Sequence, residues 1–180
     1  MRKIVKAALV ISGVAVGAAV YALADRSIDA PATVGSVDLE RYGGQWYEIA
    51  RYPNRFQRRC ATDVTATYRL RRDGKIEVIN ACRHADGASQ IARGTARVVD
   101  RRTNAKLKVT FFWPFSGDYW IVDLGADYEY SVVSEPTRKY LWILSRRAHM
   151  DEAQYRQIIL RLESRGFDTA KLVRTPQSKT

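Results

Sequence analysis

Cys60 and Cys82 are the only cysteines of the chain, and His84 and His149 its only histidines. Residues that attack, relay protons or hold transition metals are therefore few. Their spacing matches no zinc set, and neither a glycine-rich phosphate loop nor a serine–histidine–aspartate arrangement stands out. Glu48 shares strand parity with Trp46, which points it inward, and a buried carboxylate needs hydrogen bonds. That suits a structural role better than a general base. Recognition chemistry is better represented. Arg55, Arg58, Arg59 and Arg83 accompany Phe56, Trp113 and Phe115, and guanidinium groups beside aromatic rings suit a ligand with an anionic head and an apolar tail. The plainer reading is solvated loops with local packing. Trp113 and Phe115 also suit contact with a membrane or with a second subunit as a homodimer.

The elements that must position these residues are strands. "QWYEIARY" opens the series, and "TDVTATYRLR" then alternates apolar and polar residues, the period of a half-buried strand. "KIEVINACR" follows an Asp73-Gly74 turn, so these two form a hairpin. "SQIARGTARVVD" carries Gly94 inside it, which allows a bend or a close backbone contact. "KLKVTFF", "DYWIVDL", "YEYSVVS" and "KYLWILS" complete eight strands joined by short turns. Eight strands in simple succession, with no helix between them, predict an all-β fold: a closed antiparallel up-and-down barrel. Its lumen has the bore for side chains or one small ligand. "MDEAQYRQIILRLESRG" predicts one C-terminal α-helix, with Asp151 as N-cap and Gly166 as stop. The face with Tyr155, Ile158, Ile159 and Leu162 packs on the barrel wall. "AKLVRT" adds an edge strand.

Turns of such a barrel alternate between its ends. Trp46, Asp127-Tyr128 and Arg146-Arg147 fall at one end, where an indole under a guanidinium makes a plug. The other end is the mouth, with the arginines and exposed aromatics. Lumen candidates are Val64, Ala66, Tyr68, Ile76, Val78, Asn80, Val109 and Phe111, with Trp120 and Val122 from the sixth strand. The strands that begin at Gln45, Asp118 and Lys139 are apolar on both faces, which leaves their phase open. Cys60 and Cys82 both lie near the mouth. A two-residue turn would not set them opposite, so bonding needs the loop before the second strand to fold back. A disulfide is the favoured reading, two free thiols the other.

Arg2, Lys3 and Lys6 precede an uncharged run from Ala7 to Ala24 that ends in Ala22-Leu23-Ala24. This matches a cleaved export signal or, given its length, an uncleaved N-terminal membrane anchor over residues 1–24. Either places the folded part outside the cytoplasm, where a disulfide persists. Residues 25–36 read as a linker, 37–175 as the barrel with its helix, and 176–180 as a tail. The net charge of +11 invites a nucleic-acid reading, but the arginines are scattered over many strands and do not interleave with aromatics along one face. No nucleic-acid partner and no cofactor follow.

"GQWYEIARYPNRF", "ADYEYSVV" and "YLWILSRR" resemble the lipocalins, and within them the bacterial outer-membrane group, with kinship to plant temperature-induced lipocalins and apolipoprotein D. Gly44 and Trp46 match the Gly-x-Trp signature. Ala126-Asp127-Tyr128 resembles the Thr-Asp-Tyr motif with alanine replacing threonine, and Arg146 falls where the closing arginine lies. The resemblance covers about Val37 to Thr175. It implies a barrel that carries a small hydrophobic ligand, typically a fatty acid or lysophospholipid, rather than an enzyme. The other readings are a lipocalin-fold enzyme acting on a lipid and a structural envelope protein. The ligand residues expected are Tyr68, Asn80, Phe111, Trp113 and Trp120, with Arg55 and Arg59. The bacterial group is commonly tethered through an N-terminal lipobox cysteine. "VYALADRS" has none, so the expected place is the periplasm or an envelope membrane.

Overall fold

A meander of strands closes into a barrel only if its first strand also pairs with its last. In the computed structural model, which describes residues 30–178, the first strand is β1 (Gly44–Arg51). Its first half pairs with β2 (Thr62–Leu70), Gly44 opposite Tyr68 and Tyr47 opposite Thr65. Its second half pairs with β8 (Leu141–Ser145), from Tyr47 opposite Ser145 to Arg51 opposite Trp142. Between them run β3 (Ile76–Arg83), β4 (Ser89–Val98), β5 (Lys106–Phe112), β6 (Phe115–Leu124) and β7 (Tyr130–Ser134), each antiparallel to its sequence neighbour. The eight-stranded up-and-down barrel is therefore present. The signal or anchor reading of residues 1–24 lies outside the described residues.

Strand alternation divides the apolar residues between two cores. One fills the lower lumen, with Tyr42, Trp46, Tyr68, Ile76, Val78, Ala96, Leu107, Ile121 and Leu144. The other lies between the barrel wall and α2 (Glu152–Ser164), with Val122, Val132, Leu141, Ile143, Ile158 and Leu162. Fully burying Ile158 and Leu162 contributes about 2 kcal/mol each. Asp151 caps α2 by accepting from the amides of Ala153 and Gln154, and Gly166 leaves it at φ +77°. Trp120 belongs to the outer core, not the lumen. Lys106 Nζ lies 4.2 Å from the centre of its ring. Val122 shares that outward face. Because α2 covers this part of the wall, β6 is buried on both sides, and hydrophobicity alone carried no phase.

The β2–β3 connection is wider than the two-residue turn expected from Asp73-Gly74. Five residues, Arg71 to Lys75, span it, and the Arg71 amide donates to the Lys75 carbonyl at 2.8 Å. A register shift between Thr62 and Thr65, with Asp63 at φ 55°, then changes the pairing to Thr62 opposite Arg83. This bulge draws the start of β2 toward the end of β3, and Cys60 and Cys82 form a disulfide.

The ends of the chain are tied to the barrel. The Val34 amide donates to the Ile121 carbonyl, and Arg165 Nη2 to the Ala32 carbonyl, so the second half of the linker lies on the wall. β9 (Val173–Arg174) pairs with Ala50 and Arg51. Beyond it, the Thr175 amide donates to Ile49 and the Asp63 amide to Pro176. The Gln177 side chain donates to both the Glu48 and Val64 carbonyls, and Asp63 accepts from Ser178. Residues 173–178 thus fill the gap at the mouth where β1 leaves β2 for β8. The segment expected as a tail is a strap as far as Ser178.

Candidate functional site

The lower end is a plug. α1 (Leu39–Tyr42) is capped by Asp38 and lays Tyr42 beneath the lumen. Trp46 is fully buried, and its indole N–H donates to the Tyr42 carbonyl at 2.9 Å. The Arg146 guanidinium lies 3.8 Å above the indole and donates to the carbonyls of Gln45, Arg41 and Tyr128. Burial lowers the pKa of this arginine from its usual value. Gly44 adopts φ +88°, and a Cβ there would come within 3.3 Å of Arg146 Nη1, so glycine is required twice over. Tyr128 takes the Asp38 amide on its hydroxyl and carries the Arg41 guanidinium 4.3 Å over its ring. Asp127 stays exposed, its amide donating to Glu129. The fold thus joins Gly44, Trp46, Tyr128 and Arg146 at one end, with Asp127 at the edge.

Above the plug three phenols meet across the lumen. The Tyr42 and Tyr119 hydroxyls are 2.7 Å apart, Tyr119 donates to Tyr68 at 2.9 Å, and Tyr42 is 3.0 Å from the Ser131 hydroxyl. Burial pushes Tyr42 up to about 12 and raises Tyr68 and Tyr119 as well. A phenol held neutral above its unfolded value of 10.0 stabilises the fold fully below that pH. The stabilisation is lost as pH rises toward the folded value. In a spectrophotometric titration, then, these three of the ten tyrosines ionise well above pH 10.0. A single step near pH 10 for all ten, with the fold intact, would contradict the network. The enclosed void beside these residues, lined by Leu39, Tyr42, Tyr68, Ile76, Leu107 and Tyr119, measures about 10 Å³. It has room for about one water, so the lower lumen is packed.

The upper lumen differs. Ala66, Asn80, Ala92, Val109, Phe111 and Trp142 lie on the inward face but are only half-buried, whereas Ile76, Val78, Ala96 and Leu107 below are buried. The wall is thin here because β4 presents Ala92 and Gly94. A Cβ on Gly94 would meet the Thr110 carbonyl at 2.8 Å and the Phe111 ring at 2.9 Å; the glycine is what lets Phe111 lie against β4.

At the mouth, Glu48 is buried and fully engaged. Its carboxylate accepts from Arg51 and Gln57 at 2.6 Å each and from Thr175 at 2.5 Å. Gln57, from the 3₁₀ turn Arg55–Gln57, also accepts from the Trp142 indole at 2.9 Å, so this turn roofs the β1–β8 side. The disulfide ties its far end to β3. Phe56, Tyr140 and Trp142 form an aromatic row with centroids 5.6 and 5.8 Å apart. Arg55 lies 5.6 Å from the Phe56 ring, and Arg59 is exposed on the same loop. The β5–β6 hairpin holds Phe112, Trp113 and Phe115 in solvent at 79%, 89% and 77% exposure.

Six of the seven expected ligand residues therefore lie in the lumen or at the mouth: Tyr68, Asn80, Phe111, Trp113, Arg55 and Arg59. Trp120 does not. Sequence reasoning missed Tyr119, Gln57 and Trp142. The first and last sit on strands apolar on both faces, and Gln57 had no signal, since its role depends on where the loop folds. An open groove of about 390 Å³ follows Arg71, Glu77, Arg93, Thr95, Thr110 and Trp113. Glu77, Arg93, Thr95 and Thr110 alternate with inward residues, so it runs along the barrel's outside.

The family model for a lipocalin-like domain matches residues 37–177. Temperature-induced lipocalin-1 of Arabidopsis thaliana is 41% identical over 155 residues, 82% of this chain and 83% of that protein. The outer membrane lipoprotein Blc of Escherichia coli K12 is 41% identical over 141 residues, 78% and 79% of the two chains. Lobster apocrustacyanin A1 shares the fold at TM-score 0.64 and 18% identity, over 85% of this chain and 93% of that one.

Proposed function

The chain belongs to the lipocalin family, and on that premise we propose that its barrel binds and carries or stores a fatty acid or lysophospholipid in the cell envelope. The observation that carries this reading is the contrast within the lumen. A sealed and packed base supports an upper chamber whose inward Ala66, Ala92, Val109 and Phe111 keep access to solvent. Each methylene buried there contributes about 0.8 kcal/mol, so half a long chain reaches micromolar affinity after the entropic cost of binding. An anionic head at the rim meets Arg55 and Arg59. Blc's name as an outer membrane lipoprotein supports an envelope location. Within the envelope, the periplasm or association with a membrane is the place this reading gives it. The test is organic extraction of the purified protein, followed by titration of the delipidated form with fatty acid. Lipid recovered, and tryptophan fluorescence quenched to saturation at micromolar ligand, is expected. No lipid and no quenching would sink the reading.

Membrane contact belongs to the same proposal, because Phe112, Trp113 and Phe115 form an exposed apolar tip on a chain of net charge +11. Such a tip seats in a lipid surface and brings the mouth to it. Co-sedimentation with anionic vesicles is expected to fall several-fold in Trp113→Ser/Phe115→Ser. Unchanged co-sedimentation, with concentration-dependent self-association lost instead, would assign the tip to a homodimer.

A further inference from the structure

The packed part of the lumen begins at a bar. Tyr68 stands on β2 and Tyr119 on β6, four strands apart in either direction round the ring of eight. Their phenols therefore reach in from opposite walls. Tyr119 donates to the Tyr68 hydroxyl at 2.9 Å, and the two rings meet edge-on with centroids 5.8 Å apart. Tyr42 braces the pair from α1, its hydroxyl 2.7 Å from that of Tyr119 and its ring 5.6 Å from that of Tyr68. A chain pushed past this point has to part the rings and leave hydroxyls unpaired against hydrocarbon, which opposes entry. Above the bar the lumen opens: Ala66 and Ala92, on either side of Asn80, present only methyl groups.

Resting on the carrier reading above, we infer that the Tyr68–Tyr119 bar is a ruler for the ligand, and that the acyl class the barrel recognises in full is medium-chain. The depth of the chamber sets the length. Val78 on β3 is the Cα partner of Tyr68 and lies five residues below Arg83 at the rim end of that strand. Five residues cover about 17 Å of strand, which the tilt of an eight-stranded barrel reduces to about 13 Å along its axis. An extended chain advances about 1.2 Å per bond, so about ten carbons reach from the rim to the bar. A chain of that length is buried to its methyl end while its head stays beside Arg55 and Arg59. The further methylenes of a longer chain gain no burial, because the bar stops the tail and the excess remains outside the rim.

The experiment is calorimetric titration of the delipidated protein with saturated fatty acids from hexanoate to palmitate, each kept below its micellar concentration. Affinity is expected to rise about fourfold per methylene as far as decanoate and then to level off. In Tyr68→Ala, which removes one arm of the bar, the break moves to chains longer by about two to four carbons, one inward layer of the wall. In Tyr68→Phe, which keeps the ring across the lumen, the break returns to decanoate. A tyrosine with only a structural role would weaken every chain length alike and leave the break in place. A rise that continues through palmitate in the unmodified protein, or a break that does not move in Tyr68→Ala, would overturn the inference and leave the carrier reading standing. Binding of none of the acids would withdraw the carrier reading itself. The series in unmodified protein decides even where a variant fails to fold.

Discussion

Trp46→Ala is expected to destabilise the barrel by about 4 kcal/mol, a large share of the stability of a domain this size. The ring is fully buried at the centre of the plug. Its removal leaves a cavity that the surrounding strands cannot collapse, because β1 is held on both sides by β2 and β8. It also strips Arg146 of the ring it lies on and leaves the Tyr42 carbonyl without the indole donor. Arg146→Met removes the cation over the ring together with its bonds to the Gln45, Arg41 and Tyr128 carbonyls, at about 2–4 kcal/mol in all. Trp113→Ala, at 89% exposure, is the matched control and changes stability by no more than about 0.5 kcal/mol. Urea unfolding followed by far-ultraviolet dichroism measures all three. A Trp46→Ala loss no larger than that of Trp113→Ala would show that the plug does not hold the barrel.

The second large effect belongs to the disulfide. Cys60 and Cys82 are separated by 22 residues, and cross-linking a loop of that length restricts the unfolded chain by about 3 kcal/mol at room temperature. The Cys60→Ser/Cys82→Ser variant is expected to lose that much. The effect is also local. The bond anchors the loop from which Gln57 reaches Glu48 and Trp142, so its removal frees the roof of the mouth while Trp46 and Arg146 stay in place. Ligand exchange in the double variant is then faster at little change in lumen chemistry. Equal unfolding midpoints for the oxidised and variant proteins would contradict the assignment.

How far these features could be read from sequence depended on whether a strand had one wet face. β2 and β3 alternate cleanly, and the expected inward set Ala66, Tyr68, Ile76 and Val78 lines the lumen. β6 and β8 separate two dry cores, so every residue looks interior and Trp120 was given the wrong face while Tyr119 and Trp142 went unassigned. The plug was legible because three short motifs fall at one end of any eight-stranded meander. The strap was not. Residues 176–178 read as part of a tail, and their place follows from a gap that opens only because β1 changes partners. The disulfide was half legible: proximity to the mouth followed from topology, but the bulge at Asp63 that brings the sulfurs together has no sequence signature, since a non-glycine residue holds the positive φ there.

The account stands on an acyl chain entering the upper lumen above the plug. The most direct measurement is paramagnetic broadening of backbone amides by a fatty acid spin-labelled along its chain. Broadening centred on Ala66, Val78, Asn80 and Phe111, sparing Ile158 and Leu162 on α2, is the predicted result. Broadening confined to the exposed hairpin at Phe112 to Phe115, or to the outer groove along Arg93 and Thr95, would place the lipid outside the barrel and contradict it.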